Sequence, residues 1–255
     1  MGERTSHPAG AFSWSDLQTD DLDRAKSFYA ELFGWSYDDI PIGEGAVYSM
    51  AKIRGKSVAG LGVRQGEEIP PHWSVYVTVD DVDAVAARAA ELGANVIAPP
   101  FDVFDAGRMA AFADPQGAIL SIWQPRQSIG AQLVNEVGAL CWNDLMTPDI
   151  QASSDFYRGL FGWGISEIEG SDGQYFSITN NGRLNGGIMP TPEGGHPVWN
   201  LYFAVENVDA AVAKAGELGG STIAGPMDVP NGTRFAVLGD RSGAVFSVAS
   251  GPMDD

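Results

Sequence analysis

Residues 14–35 read WSDLQTDDLDRAKSFYAELFGW, and residues 142–163 read WNDLMTPDIQASSDFYRGLFGW. The two stretches share Trp, Asp-Leu, Phe-Tyr and Leu-Phe-Gly-Trp at a constant spacing. Further along, Trp73 and Tyr76 match Trp199 and Tyr202 at a slightly shorter spacing. A register that holds over nearly the whole chain indicates an internal duplication.

Each half of the duplication predicts two βαβββ units. In the first unit, apolar residues of 22–32 form one helical stripe that Gly34 ends, after a strand over 13–19. Alternation and a turn at Gly55 then predict three strands, over 36–38, 46–53 and 56–63. The second unit repeats the plan with a strand over 73–79, a helix over 82–92 and strands over 95–97, 108–113 and 118–123.

The predicted fold class is therefore α+β, with four tandem βαβββ modules, two per half, whose curved mixed sheets enclose cavities. The predicted organisation is a flexible N-terminus (1–10), a first domain (11–123), a linker (124–136), a second domain (137–250) and a disordered tail (251–255).

Composition limits the function classes. The 255 residues carry 15 Lys+Arg against 33 Asp+Glu, a net charge of −18, which argues against nucleic-acid and anionic-membrane partners. A single cysteine, Cys141, excludes an internal disulfide and is expected to be buried and inert. With no apolar stretch of transmembrane length and no hydrophobic leader, a cytoplasmic protein is expected.

Three sequence words resemble the vicinal oxygen chelate superfamily, which includes glyoxalase I, bleomycin-resistance proteins and extradiol dioxygenases. They are Asp21-Leu22-Asp23-Arg24-Ala25 with the Phe-Tyr and Leu-Phe-Gly-Trp that follow, residues 79–84, and Asp114-Pro115-Gln116-Gly117. More narrowly, the chain resembles two-domain actinobacterial members, which include a mycobacterial culture-filtrate antigen. The resemblance implies curved sheets around a cavity, with a divalent metal on the concave face.

The metal-ligand positions that the resemblance implies do not carry metal ligands here. In the first half they fall on Trp14, Ser74 and Ser121, and in the second half on Trp142, Asn200 and Ser247. Neither set offers the imidazoles and carboxylate that Fe(II) or Zn(II) sites favour. His72 and His196 precede the equivalent strands and are expected at the rims. No metal and no cofactor are therefore expected.

The strand phases predict the side chains that line each cavity. In the first half they are Trp14, Asp16, Gln18, Ser74, Tyr76, Thr78, Ser121 and Trp123, and in the second Trp142, Asp144, Met146, Asn200, Tyr202 and Ser247. Aromatic walls with a few convergent polar groups are typical of a small-molecule site. The alternative is that the tryptophans fill the space where a metal site would be.

Asp16 and Asp144 are the candidate catalytic residues. An unpaired buried carboxyl has a raised pKa, which suits a general acid or base. Arg108 and Arg234 recur at matching positions and are candidate ligand-binding residues, but they also predict structural pairs, Asp16–Arg108 and Asp144–Arg234.

The sequence thus predicts a metal-independent protein, monomeric or weakly dimeric, that binds a small, partly hydrophobic, oxygenated metabolite. Three functions stay open: a lyase, isomerase or cyclase that uses acid–base chemistry, a non-catalytic sequestering protein of the bleomycin-resistance type, or a metal-dependent glyoxalase or dioxygenase.

Overall fold

The computed structural model describes residues 2–43, 45–66, 68–171, 174–229 and 231–252. In these ranges, two eight-stranded mixed sheets and four helices repeat one plan. The predicted tail, residues 251–255, lies outside the described residues from position 253 onward. Among the described residues, every helix is too short or too polar to span a bilayer.

The first sheet has the strand order β2-β3-β4-β1-β5-β8-β7-β6. Its central strand β1 runs parallel to β4 and antiparallel to β5, and β5 runs parallel to β8. The elements are β1 (Phe12–Thr19), α1 (Leu22–Phe33), β2 (Ser36–Gly43), β3 (Ala46–Ile53), β4 (Lys56–Val63), β5 (His72–Thr78), α2 (Val82–Glu91), β6 (Asn95–Val103), β7 (Gly107–Ala113) and β8 (Ile119–Pro125).

The second sheet has the equivalent order, β10-β11-β12-β9-β13-β16-β15-β14. Its elements are β9 (Leu140–Thr147), α3 (Ile150–Phe161), β10 (Gly164–Glu167), β11 (Phe176–Asn180), β12 (Arg183–Pro190), β13 (Val198–Ala204), α4 (Val208–Glu217), β14 (Ser221–Asp228), β15 (Arg234–Gly239) and β16 (Val245–Ser250). The two-unit α+β plan predicted from the duplication is confirmed.

The repeated sequence words begin and end the long helices. The Asp21 carboxylate accepts the Arg24 N–H at the start of α1 (3.0 Å), and Gly34 ends the helix at a φ of 74°. Asp149 and Gly162 do the same for α3. A side-chain acceptor before the first turn and a left-handed glycine after the last are the usual helix caps.

Two strands are longer than predicted. The sequence predicts strands over 36–38 and 95–97, whereas β2 runs to Gly43 and β6 to Val103. Pro41, Pro99 and Pro100 weaken the strand signal of both segments. Both strands lie at an edge of the sheet, where a residue without an N–H is tolerated.

The helix-bearing faces of the two sheets pack against each other in one shared aromatic core. Phe12 of the first half lies 5.0 Å from Trp199 of the second, and Trp35 lies 5.3 Å from Phe203 (ring centroids). The opposite face of each sheet is turned away from this core. We call these the first and second concave faces.

The Asp-Pro-x-Gly turn also joins the halves. The Asp114 Oδ1 accepts N–H groups of its own turn, and its Oδ2 accepts the Tyr157 hydroxyl of the other half (2.9 Å). Asp240 binds its turn and Tyr29 in the same way (3.0 Å). The Phe-Tyr word of each half and the aspartate turn of the other half thus share a buried hydrogen bond.

The N-terminal segment, predicted to be flexible, lies against the predicted linker. The Arg4 N–H donates to the Gln132 carbonyl (3.0 Å) and the Val134 N–H to the Gly2 carbonyl (2.9 Å). The linker in turn follows the first sheet, because the Ala131 N–H donates to the Ser13 carbonyl (2.7 Å).

Candidate functional site

The strands place the predicted residues of the first half on one face. Trp14 is opposite Tyr76 across the β1–β5 pair, Asp16 is opposite Ser74, and Tyr76 is opposite Ser121 across β5–β8. Residues directly opposite each other on paired strands share a face of the sheet. By the same registers Gln18, Thr78 and Trp123 belong to the first concave face, as the strand phases predict.

Asp16 is the buried carboxyl of this face, with 6% of its surface exposed. Its Oδ2 accepts the Tyr76 hydroxyl (2.9 Å), while Oδ1 is buried without a hydrogen-bond partner. Burial raises the pKa of Asp16 to about 6, against the hydrogen bonds from Tyr76 and Gln18, which lower it. The carboxyl therefore titrates close to neutral pH.

Tyr48 of β3 completes this cluster. Its hydroxyl accepts the Trp14 indole N–H (3.1 Å), and it lies over Gly60, where an added Cβ would come within 1.7 Å of the oxygen. Gly60 is opposite Asp16 in the parallel β1–β4 pair. A residue without a side chain at this position is what brings the tyrosine to the carboxyl.

The second concave face carries the equivalent residues with a different hydrogen-bond pattern. The Asp144 Oδ1 accepts the Tyr175 hydroxyl (2.8 Å) and the Trp142 indole N–H (2.9 Å). Burial raises the pKa of Asp144, and the hydrogen-bonding Tyr175, Tyr202 and Trp142 lower it. Gly187, opposite Asp144, makes room for Tyr175, whose oxygen would lie 2.0 Å from an added Cβ.

The sequence analysis missed Tyr48 and Tyr175. Both recur in the duplication at a spacing between those of the flanking matches, and each precedes a glycine (Gly60 and Gly187) by the same number of residues. A search for polar and aromatic residues kept in both halves would have found them. Alternation within one strand cannot show that β3, and the residue just before β11, bring these hydroxyls to the carboxyls of β1 and β9.

The two faces differ in how far their own side chains fill them. In the first, Trp14, Tyr76 and Trp123 are buried in a cluster that Ala131 and Val134 of the linker cover. The position equivalent to Trp123 in the second half holds Ala249, because the β13–β16 pair repeats the register of β5–β8.

Several aromatic and apolar side chains of the second face remain partly open to solvent. Trp142, Met146, Tyr175 and Phe235 are each half-buried, and Phe235 packs on Tyr202 (5.9 Å between centroids). The second concave face is therefore the more accessible of the two.

The predicted ion pairs of Asp16 with Arg108 and of Asp144 with Arg234 are wrong. Arg108 binds Asp83 of α2 and Asp102 of β6, and Arg234 binds Asp209 and Asp228 in the same way. The reason is strand phase, since Arg108 lies on the same face of β7 as the buried core residues Ala110 and Phe112. Both arginines thus lie on the helix-bearing face, away from the carboxyls.

The residues at the implied metal positions do not fit a metal ion. An indole N–H donates and cannot ligate, and the N–H groups of Trp14 and Trp142 are already donated to neighbouring oxygens. The Asn200 amide is bound to Ser247 Oγ (2.8 Å). Among the described residues there is no group of three His, Cys, Asp or Glu side chains that could hold a metal.

Three further residues named from the sequence are Cys141, Gln18 and His72. Burial raises the pKa of the Cys141 thiol to about 12, and its Sγ contacts the Tyr202 carbonyl (3.4 Å), which suits an inert thiol. Gln18 is opposite His72 at the other end of the β1–β5 pair, so the histidine lies at the rim of the first face.

The family follows from comparison with known sequences. The model of the Glyoxalase/Bleomycin resistance protein/Dioxygenase superfamily matches twice, over residues 11–122 and 136–248. The chain belongs to this superfamily. Two matches agree with the duplication and with the repeated sheets, and they confirm the resemblance drawn from the sequence words.

Two kinds of relative match nearly the full length of this chain. A Mycobacterium tuberculosis protein named "Putative glyoxylase CFP32" is 45% identical over 97% of both chains. The anthracycline biosynthesis protein DnrV of Streptomyces peucetius is 33% identical over 96% of this chain and 94% of its own.

Solved structures share the fold at much lower identity. The Mn(II)-bound glyoxalase of Novosphingobium aromaticivorans has a TM-score of 0.66 and 17% identity, and covers 98% of this chain and 83% of its own. The 2,3-dioxygenase LapB of Pseudomonas sp. KL28 has a TM-score of 0.64 and 16% identity, over 95% and 93%. These likenesses concern the architecture alone.

Proposed function

We propose that the second concave face binds a small, partly hydrophobic, oxygenated metabolite without a protein-bound metal, and that Asp144 exchanges a proton with it. The observation that carries this proposal is the buried Asp144 carboxyl, surrounded by the Trp142, Tyr175 and Tyr202 donors beside half-buried aromatic rings. Strong perturbation of a carboxyl in a cleft is typical of functional sites.

The cluster suits acid–base chemistry of the lyase, isomerase or cyclase type. Oδ1 of Asp144 accepts the two hydrogen bonds given above, and Tyr202 is a third hydrogen-bonding neighbour of the carboxyl. We assign the proton exchange with the ligand to Oδ2. Burial raises the pKa of Tyr175 and Tyr202, which keeps both hydroxyls protonated at neutral pH. In the free protein Tyr175 donates its one proton to Asp144. A phenol that turned from the carboxyl to the ligand would stabilise negative charge on a ligand oxygen by donating its hydrogen bond there.

The walls favour a flat, aromatic ligand. Trp142, Tyr202 and Phe235 offer ring faces and edges, while Tyr175 and Asn200 supply polar atoms beside them. The relative named for anthracycline biosynthesis supports the same ligand class, because anthracyclines are planar, oxygenated polycyclic molecules. We therefore propose a hydroxylated polycyclic compound or a molecule of similar shape.

A second candidate is binding without catalysis. The Asp144 carboxyl already receives two hydrogen bonds from its own chain, which orient it and favour its charged form. A carboxylate held in this way could act only as an acceptor for a ligand hydroxyl. This is the sequestering role of the bleomycin-resistance type.

The first experiment measures ligand binding by tryptophan fluorescence, with a dihydroxyanthraquinone as the probe. Phe235→Ala should weaken binding about tenfold or more, because it removes an aromatic wall. Ala249→Trp introduces an indole at the position equivalent to Trp123, which fills the first face, and it should abolish binding. Trp123→Ala is the matched control in the first half. The choice of face would be contradicted if the natural sequence did not bind the probe. It would also be contradicted if Phe235→Ala and Ala249→Trp bound the probe as tightly as the natural sequence does.

Asp144→Asn distinguishes the enzyme from the binder. For an enzyme, the variant should bind the probe within about threefold of the natural sequence and lose about 10²–10⁴-fold in turnover on its substrate. For a binder, affinity alone should change. Asp16→Asn is the control, since Asp16 lies on the filled face.

Metal independence and assembly are tested on the same preparation. Elemental analysis should find no stoichiometric transition metal, and a chelator should leave probe binding unchanged. The reason is that the positions implied for metal coordination carry side chains that do not coordinate a metal ion here. About one metal ion per chain would instead favour the metal-dependent glyoxalase or dioxygenase.

Light scattering should give a monomer near 27.0 kDa, since the halves already cover each other's helix-bearing faces.

A further inference from the structure

One end of the second concave face carries three apolar side chains. Met146 of β9 lies opposite Met189 in the parallel β9–β12 pair and opposite Val198 in the antiparallel β9–β13 pair. Residues directly opposite each other share a face of the sheet, and Met146 follows Asp144 by two residues, so all three lie on the face of the carboxyl. We call Met146, Met189 and Val198 the methionine end.

The equivalent end of the first concave face is polar. In the first half, Gln18 lies opposite Gly62 in the β1–β4 pair and opposite His72 in the β1–β5 pair. These registers repeat those of Met146, so an amide, a glycine and an imidazole take the places of two thioethers and an isopropyl group. The Gln18 amide also hydrogen-bonds the Asp16 carboxyl, whereas a methionine has no proton to donate. The two concave faces therefore differ in polarity at this end.

The three side chains of the methionine end stay partly open to solvent. Each is half-buried, and none belongs to either of the two apolar clusters that the described residues form. The half-buried Met50 and Met109 of the first concave face, in contrast, pack on such a cluster. An apolar group of a ligand would remove the methionine end from water, which is favourable in proportion to the apolar area covered.

The methionine end lies close to the proposed site of proton exchange. Two residues along a strand separate the Cα atoms of Asp144 and Met146 by roughly 6.6 Å. A ligand that places a ring hydroxyl at Asp144 can therefore reach Met146 with a substituent elsewhere on the same ring. Methionine is unbranched and polarisable, so it adapts to apolar groups and contacts ring edges well.

We propose that the methionine end binds an alkyl substituent of the ligand whose polar ring groups face Asp144. This inference rests on the proposed function, and it narrows the substrate class to hydroxylated polycyclic compounds with an alkyl group on the ring that reaches Asp144. Met146 and Met189 then determine specificity. They favour an alkyl group over a hydroxyalkyl group, because thioethers supply no proton to a hydroxyl that leaves water.

The test titrates the full chain with three matched dihydroxyanthraquinones and follows tryptophan fluorescence. Chrysazin has a hydrogen at the variable ring position, chrysophanol has a methyl group, and aloe-emodin has a hydroxymethyl group. Chrysophanol should bind about fourfold more tightly than chrysazin, which is the effect of one buried CH₂ group. Aloe-emodin should bind about tenfold more weakly than chrysophanol.

The outcomes distinguish this inference from the proposed function. If chrysazin bound and lost affinity in Phe235→Ala, while the methyl group added nothing, the proposed function would stand and this inference would be wrong. Equal affinities for chrysophanol and aloe-emodin would also overturn the inference. If none of the three probes bound, the proposed function would fail together with it.

Variants locate the methyl group. In Met146→Gln, which introduces the side-chain type of the first half, and in Met189→Gln, the preference for chrysophanol over chrysazin should disappear. Met146→Leu keeps an apolar side chain and should keep the preference. The preference is a ratio measured within one variant, so a partial loss of folded protein does not change it. Met227→Gln is the matched control, because Met227 lies opposite Phe235 on β14, away from the methionine end. A preference that survives in both Met146→Gln and Met189→Gln would place the methyl group elsewhere and refute the inference.

Discussion

At the scale of single residues, Asp16 and Asp144 show how a fold can hold a carboxyl at a cost. Each is buried opposite a glycine, and Asp16 accepts one hydrogen bond from an aromatic side chain while Asp144 accepts two. The arginines expected as partners lie on the other face of the sheet. No cation compensates their burial among the contacts described above. Residues that reduce stability in this way are typical of functional sites.

Asp16→Asn should therefore stabilise the protein at neutral pH. The pKa of Asp16 is about 6 in the folded chain and 3.8 in a model peptide, so its stability contribution is present below about pH 3.8 and is lost as the pH rises through 6. The difference corresponds to about 3 kcal/mol above pH 7, which the neutral amide should recover.

Urea unfolding from about pH 4.5 to pH 8 measures this effect. The gap between Asp16→Asn and the natural sequence should widen as the pH rises, while Asp80→Asn, an exposed carboxyl, should show no such trend. A pH-independent difference, or a loss of stability at pH 8, would mean that Asp16 is compensated by a group not identified above.

At this scale, the sequence predicted part of the site. Alternation placed Trp14, Asp16 and Tyr76 on one face, because a strand of that length has one side-chain period. The predicted pairing of Arg108 with Asp16 was wrong, because matching positions in a repeat do not show which face of the sheet a residue is on. The sequence did contain that information, since Arg108 has the strand phase of the apolar Ala110 and Phe112. Tyr48 could not be placed, because its contact depends on a register between strands.

At the scale of secondary-structure elements, strand pairs assemble each cluster. The Trp and Asp come from β1 or β9, and one tyrosine comes from β5 or β13. The other tyrosine lies in β3 in the first half and just before β11 in the second. The parallel pairs β1–β4 and β9–β12 place a glycine beside each carboxyl. The approach of the tyrosine in β3 or before β11 therefore depends on one missing side chain.

Gly187→Ala should disrupt the second cluster selectively. Its Cβ would come within 2.0 Å of the Tyr175 oxygen and 2.4 Å of Asp144 Oδ1, so both side chains would have to move. We expect a loss of about 1–3 kcal/mol of stability and of probe binding to the second face. The overpacked atoms belong to side chains, so the strand pairing itself should survive.

Gly216→Ala is the matched control for thermal melts and probe titrations. Gly216 lies on α4 with no atom within 4 Å of the added Cβ, and alanine should stabilise the helix by about 0.5–1 kcal/mol. If Gly187→Ala behaved like Gly216→Ala in both measurements, Tyr175 would not be held over the carboxyl.

At this scale, the boundaries of the helices were predictable because caps are local, as Asp21 and Gly34 show. The full lengths of β2 and β6 were not. Each is an edge strand whose prolines weaken the local signal, and only its neighbour in the sheet reveals the pairing.

At the scale of the whole molecule, the duplication supplies both sides of one interface. Tyr29 of α1 binds Asp240 in the other half and accepts the Trp73 indole N–H (3.0 Å), and Tyr157 binds Asp114 and accepts Trp199 (2.8 Å). The tyrosines and aspartates that identify the family by sequence thus hold the halves together. The family words were readable from sequence, but their role was not, because it depends on contacts between the halves.

Tyr157→Phe should destabilise the whole molecule. The change removes one buried donor and leaves Asp114 Oδ2 and the Trp199 N–H without a partner, which should cost about 1–3 kcal/mol. Tyr29→Phe should have a similar effect on Asp240 and Trp73. Since the two triads lie at separate contacts between the halves, the losses of the double variant should be close to additive.

Tyr37→Phe is the control, because its hydroxyl donates to the Lys26 carbonyl within the first half (3.1 Å). Urea unfolding should show a larger loss for Tyr157→Phe and Tyr29→Phe than for Tyr37→Phe, with tryptophan fluorescence and far-UV circular dichroism changing in one transition for each single variant. In the double variant, a second transition would mean that the halves unfold separately once these bonds are lost. Losses no larger than that of Tyr37→Phe would instead show that the aromatic core alone joins the halves.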